Sequence, residues 1–210
     1  VGSMIAYWLS ELGQKNIVGL EKSSVIPSDI ASTAHASDFV YNTTHDKLGC
    51  WTTAYSRKFY EDNGFFLKKG GLEICRKGDD ARWEELKRKV GSGKAFGTNV
   101  RLISASEAKE KLPLLDEESL MGAMWDPDAG LVIPRSQDVV SFAVESAKDK
   151  GALKTFTDTP AIDFEVENGR VTGVKTDKGF IKADKVVICS GIWGPLMGKK
   201  AGVPVPLMPL

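Results

Sequence analysis

The sequence predicts a mixed α/β fold in which a Rossmann-like unit carries an interleaved β-meander, and three observations support this. An apolar helix is followed at once by a short apolar strand ending in Glu21-Lys22. A run of short β-like segments is punctuated by Asn168-Gly169 and Lys178-Gly179. A late apolar run then leads into Ser190-Gly191.

Val1, Ile5, Trp8, Leu9 and Leu12 recur at helical spacing, and Gly13 supplies the stop. Ile17 to Leu20 reads as a buried parallel strand emerging at its carboxyl end. From Ser23 to Thr44 the composition turns to Ser, Thr, Ala, Asp and Asn, a long loop of the kind that usually carries function. Helices are expected at Lys47 to Asn63 and Asp79 to Phe96, with a strand at Gly71 to Cys75 between them. Ser104 and Glu107 form a capping box for a short helix ending near Pro113. A strand at Met121 to Trp125 and a helix at Ser136 to Lys150 follow. The segments 161–166, 170–176 and 180–182 form the meander. Lys185 to Cys189, apolar from Val186, is expected to return as a final strand, with Ile192 to Ala201 helical after it.

Composition narrows the function classes. Lys plus Arg and Asp plus Glu both total 28 in 210 residues, so no net field favours nucleic acid or an anionic membrane. Lys87, Arg88 and Lys89 alternate with Glu84 and Glu85 as a solvated helix face would. No apolar run reaches the roughly 18 residues needed to span a bilayer. Cys50, Cys75 and Cys189 have neither an even count nor CxxC spacing, so no disulfide framework and no metal site is expected, and a reducing compartment fits better.

Three constellations could carry chemistry. Val1-Gly2 opens a helix, and Glu21 ends the next strand about 20 residues later. In a dinucleotide-binding motif this pairs the glycine that permits close helix packing with the carboxylate that accepts from ribose hydroxyls. The run from Val186 to Ser190-Gly191 would lay small residues against a cofactor; an ordinary core strand and turn is the bland alternative. His35, in Ala31-Ser32-Thr33-Ala34-His35-Ala36, has no partners at metal-ligand spacing. It is either a surface hydrogen-bonding residue or an imidazole nucleophile. His45 reads as a loop or helix-start residue. Trp125, Trp193, Phe59, Tyr60, Phe65 and Phe66 read mostly as core or interface.

Taken together these residues resemble the dimethylglycine and sarcosine dehydrogenase or oxidase group of the D-amino-acid-oxidase-like flavoproteins. Ser32-Thr33-Ala34-His35-Ala36 is the most discriminating element. Gly70-Gly71-Leu72-Glu73, Leu112-Pro113-Leu114-Leu115, Asp128-Ala129-Gly130-Leu131, Gly191-Ile192-Trp193 and Pro206-Leu207-Met208-Pro209-Leu210 follow in the same order and spacing. Ala31 and Ser37-Asp38 depart from it, standing where relatives usually have glycine or a small pair.

The resemblance implies FAD, joined covalently through His35. Val1, Gly2, Glu21, Lys22, Ser32, Thr33, Ala34, His35, Phe39, Ala161 and Gly191 would surround the cofactor. It implies hydride transfer from a small N-methyl amino acid, with oxygen or an electron-transfer flavoprotein as acceptor and tetrahydrofolate as a partner of a further domain. The expected domains are 1–45 with 134–202 for FAD and 46–133 with 203–210 for a partial substrate domain. The first strand and the catalytic His and Tyr would fall outside this stretch. The expected location is cytoplasm or mitochondrial matrix. A non-catalytic regulatory or assembly homologue is the alternative, and an NAD-dependent enzyme has no natural place for the meander.

Overall fold

The computed structural model describes residues 1–208 and is an α/β protein with six helices and eleven strands among them. In chain order these are α1 (Gly2–Glu11), β1 (Ile17–Leu20), β2 (Phe39–Val40), α2 (Lys47–Asp62), β3 (Phe66–Lys68) and β4 (Gly71–Arg76). Next come α3 (Asp80–Ala95), β5 (Arg101–Ile103), α4 (Ala105–Lys111), β6 (Leu120–Asp126), β7 (Gly130–Val132) and α5 (Ser136–Asp149). The last are β8 (Leu153–Phe156), β9 (Ala161–Glu167), β10 (Arg170–Thr176), β11 (Gly179–Lys182) and α6 (Gly194–Lys200).

The chain divides into two compact units, one of Val1–Ala36 with Ser136–Leu210 and the other of Ser37–Arg135. In the first, β1 and β8 pair in parallel, Ile17 opposite Leu153 and Leu20 opposite Phe156. Such a pair needs a crossover connection, and helices cover it. α1 packs on α5 through Ala6, Val144 and Ala147, Leu153 closes the cluster from the sheet, and Glu11 pairs with Lys150 at the margin. The meander orders β11-β10-β9, all antiparallel, with its apolar face closed by Phe164, Val174 and Met197 of α6. The Asn168-Gly169 turn has both residues at positive φ, 50° and 74°, as its two-residue loop requires.

In the second unit β7 lies between β2 and β3, and β6 between β4 and β5. Asp46 and Asp79 cap α2 and α3 by accepting from the Gly49 and Arg82 N–H groups, and Ser104 and Glu107 form the expected capping box. Residues 37–45 belong to this unit because β2 pairs with β7 and Asn42 bonds Asp126.

Three expectations need correction. Val186–Cys189 forms no strand: the meander's last backbone bond runs from the Ala183 N–H to the Thr172 carbonyl, and Val187 and Ile188 are exposed. Four apolar residues in a row do not make a strand without a neighbour to bond. The segment after it is not one helix: a 3-10 turn at Gly191–Trp193 precedes α6, which has proline in its first turn. Lys89 leaves the solvated face of α3 and pairs with Glu73, both nearly buried. Pro209 and Leu210 of the quoted resemblance lie outside the described residues.

Candidate cofactor site

The first unit gathers most of the sequence-derived site residues. Glu21 follows β1, and its N–H donates to the Phe156 carbonyl at 2.9 Å, carrying the pairing one residue past the strand. Its Oε1 accepts from the Ser23 N–H at 2.8 Å, which fixes the half-buried carboxylate at the strand's carboxyl end. Lys22 turns its Nζ over the Trp193 ring, 4.3 Å from the centroid, a cation–π contact. Trp193 is 49% exposed, which leaves the interface half of the core-or-interface reading. This contact ties the end of β1 to the 3-10 turn that starts at Gly191, where φ is 55°.

Val1 is exposed and precedes α1; its side chain makes no capping bond, and the first turn has no acidic residue. The leading N–H groups of the helix are therefore suited to an anion. A Cβ added to Gly2 would sit 3.2 Å from the Cys189 Cβ, so the glycine permits close approach of the segment leading to Gly191. Next to Cys189, the Ser190 Oγ is buried without a hydrogen-bond partner in the structure. The Gly2–Cys189 approach and the Lys22–Trp193 contact each join groups more than 150 residues apart, which no local pattern displays.

Ser32–His35 forms a 3-10 turn packed against α5, closed by the Ala34 N–H donating to the Ala31 carbonyl at 2.9 Å. His35 ends the turn and is exposed. Ala31 has φ −79° and ψ 152°, ordinary extended backbone, so alanine in place of glycine costs nothing there. Asp38 does adopt left-handed φ, 61°, and its carboxylate is held by Arg135. Ala161 opens β9 opposite Thr176 and packs half-buried beside the Phe164 cluster.

Phe39 belongs to the second unit, in β2. Its ring meets Tyr41 edge-on with centroids 4.7 Å apart, and Gly71 leaves the space for it. Phe39, Tyr41 and Tyr60, with the hydroxyls of Thr44, Thr52 and Ser56, line an open cleft of about 310 Å³. Burial pushes the Tyr60 phenol up, so it stays neutral. Beneath β2, the Asp126 carboxyl accepts from the backbone N–H groups of Asn42 and Asp128, both at 3.0 Å. Arg57 Nη1 donates to Asn42 Oδ1 at 2.8 Å. Asp128 accepts from Lys68 Nζ and Asn99 Nδ2, and the Lys68 ammonium holds its carboxyl below the usual range against the opposing effect of burial.

Comparison with known proteins accounts for both units. A family model described as FAD dependent oxidoreductase matches residues 1–210. The chain belongs to this family. The solved L-proline dehydrogenase from P. horikoshii superposes with a TM-score of 0.86 at 29% identity, covering 97% of this chain and 53% of that one. Glycine oxidase from Bacillus cereus ATCC 14579 gives a TM-score of 0.74 at 26% identity, over 95% and 56%. Among curated relatives, human mitochondrial sarcosine dehydrogenase is 28% identical across 99% of this chain, and human mitochondrial dimethylglycine dehydrogenase is 26% identical across 100%. The mouse pyruvate dehydrogenase phosphatase regulatory subunit is 29% identical across 94%. The chain spans about a quarter of the length of these three.

The residues of this FAD-dependent oxidoreductase chain fit a dinucleotide. A helix start without cap or acid, a glycine beside Cys189, a buried hydroxyl without a partner and a carboxylate at a parallel strand's end would offer donors to a phosphate and an acceptor to a ribose. No helix among the described residues is long and apolar enough to cross a membrane.

Proposed function

We propose that this chain is the cofactor-holding part of an enzyme that oxidises the N-methyl group of a small secondary or tertiary amino acid, with FAD joined through His35. The observation that carries this reading is the Ser32–His35 turn, which presents an exposed imidazole in the unit that also holds Glu21 and Gly2. The sarcosine and dimethylglycine dehydrogenases, matched along almost the whole chain, support the substrate class. When bound, FAD supplies the hydride acceptor.

In this reading Glu21 accepts from the adenosine ribose hydroxyls, and the bond from Ser23 keeps its carboxylate turned to do so. Lys22, held over Trp193, borders the same pocket, while Ala161 lends backbone contacts on the adenine side. The α1 N-terminus and Gly191 approach the phosphates, with Val1 and Gly2 at the helix start. Ser32, Thr33 and Ala34 position His35, whose neutral imidazole has the lone pair a nucleophile needs. The first unit holds the FAD, and the second begins a substrate domain. Oxygen or an electron-transfer flavoprotein receives the electrons, and tetrahydrofolate takes the released carbon in a further domain. The mitochondrial relatives favour the matrix as location.

The test is acid precipitation of the full-length protein followed by flavin fluorescence of pellet and supernatant. Flavin retained in the wild-type pellet and lost with His35→Ala is the expected result. Release of all wild-type flavin into the supernatant refutes the covalent anchor. A second reading, a regulatory homologue without catalysis, is favoured by the phosphatase regulatory subunit among the relatives. It predicts that neither sarcosine nor dimethylglycine bleaches the flavin.

A further inference from the structure

We infer that Asn168 is a modification site, where the side-chain amide is converted to a carboxyl group by reaction with the following backbone nitrogen and water. Two of the five asparagines in the chain, Asn63 and Asn168, precede glycine. Elsewhere isoleucine, threonine or valine follows, and a stiff β-branched side chain crowds its own backbone nitrogen. In the reaction the Gly169 nitrogen gives its proton to solvent base and attacks the Asn168 Cγ. A C–N bond closes a five-membered imide, and the side-chain nitrogen leaves as ammonia. Water then opens either imide carbonyl, which yields aspartate or isoaspartate. No oxidant, reductant or cofactor takes part, so the inference stands apart from the proposed amine oxidation.

The fold treats the two glycine-linked asparagines differently. Asn63 caps the C-terminus of α2: its Nδ2 donates to the Phe59 carbonyl at 2.8 Å, and the Gly64 N–H donates to the Glu61 carbonyl at 3.2 Å. The leaving amide and the attacking nitrogen are thus both held, and the ring can close only after the last turn of α2 unwinds. Asn168 sits instead at the tip of the β9–β10 hairpin, and no hydrogen bond among the described residues holds its side chain or the Gly169 N–H. Val166 through Arg170 are all exposed. Ring closure requires this left-handed turn to open, since the Gly169 nitrogen must swing toward Cγ. Opening breaks little: only the Arg170–Glu167 and Val171–Val166 pairs stand between the turn and the register shift before Gly173. Ladder ends of this kind open at far lower free energy than the packed interior. The product places a negative charge beside Glu167, and the isoaspartate form adds a backbone atom to a two-residue turn whose register has no room for it.

The full-length holoprotein is incubated in mildly alkaline buffer with and without urea, and the two asparagine-containing peptides are followed by mass spectrometry and by enzymatic methyl labelling of isoaspartyl groups. In native buffer, conversion at Asn168 is expected to run about tenfold faster than at Asn63, the ratio that about 1.4 kcal/mol of holding bonds gives. In urea the two rates should converge, since both sites share the Asn-Gly sequence. Asn168→Gly, which keeps the left-handed turn, should remove the isoaspartyl label from the native protein. Equal rates in native buffer, including no reaction at either site, overturn the inference, as does faster conversion at Asn63. A preference that persists unchanged in urea also overturns it, because the flanking sequence and not the fold would then choose the site. Label retained by Asn168→Gly places the reactive group elsewhere and overturns it as well.

Discussion

The two ends of one loop are held in different ways. At its start, Ser32 and His35 are exposed in a short 3-10 turn fixed by backbone bonds and by packing on α5. Seven residues after His35, Asn42 and Thr43 are 4% and 1% exposed and are bonded to Asp126, itself 2% exposed. The chain satisfies its own polar groups where it builds the wall of the cleft. In the Ser32–His35 turn it leaves side chains outward. A segment meant to bind gains from unspent donors and acceptors, whereas a segment meant to support must have none unpaired.

Asp126→Ala should break this contrast most severely. It strands one buried and one part-buried N–H group that now share one carboxyl, at a cost of about 3 kcal/mol. In calorimetry this should lower the thermal midpoint of the 210-residue chain by about 10 °C; a shift within about 2 °C would show that water replaces the carboxyl. Gly71→Ala comes next. The new Cβ would lie 2.4 Å from the Phe39 Cζ and 3.0 Å from the Ala129 Cβ, so the ring must move, costing about 1–3 kcal/mol. Urea denaturation measures it, and an unchanged midpoint would mean that Phe39 is mobile.

The smallest effect is pH-dependent. The folded-state carboxyl of Asp128 lies below its unfolded value of about 3.9, so its contribution is present above that value and lost as pH falls through the folded one. Between about pH 5 and pH 2 the wild-type midpoint should therefore fall more steeply than that of Asp128→Asn. Parallel curves would assign the acid sensitivity elsewhere.

Much of this fold was legible in local patterns. The caps at Ser104 and Glu107, the Asn168-Gly169 turn and the apolar spacing of α1 each involve neighbours within a few residues, and each appears in the structure. β8 was not foreseen, since Leu153–Phe156 becomes a strand only by pairing with β1, more than 130 residues earlier. The same physics explains the opposite error at Val186–Cys189, where apolar character was present and the partner was not. In the candidate site, the spacing of Gly2 and Glu21 singles out two residues that the structure places in the same unit. The Lys22–Trp193 contact and the Asp126 network involve side chains far apart in sequence, and no window of sequence displays them.

The parallel pairing of β1 with β8 also bears on synthesis. Residues 37–135 form one uninterrupted unit, whereas β1 must wait for residues 153–156 before its ladder can form. A chain emerging at roughly 5–20 residues per second therefore leaves β1 unpaired for at least several seconds while the intervening unit is being made. Closing so distant a contact slows folding, and an already compact insert shortens the effective loop. The second unit would then fold first, and its integrity would set how quickly β1 and β8 can meet.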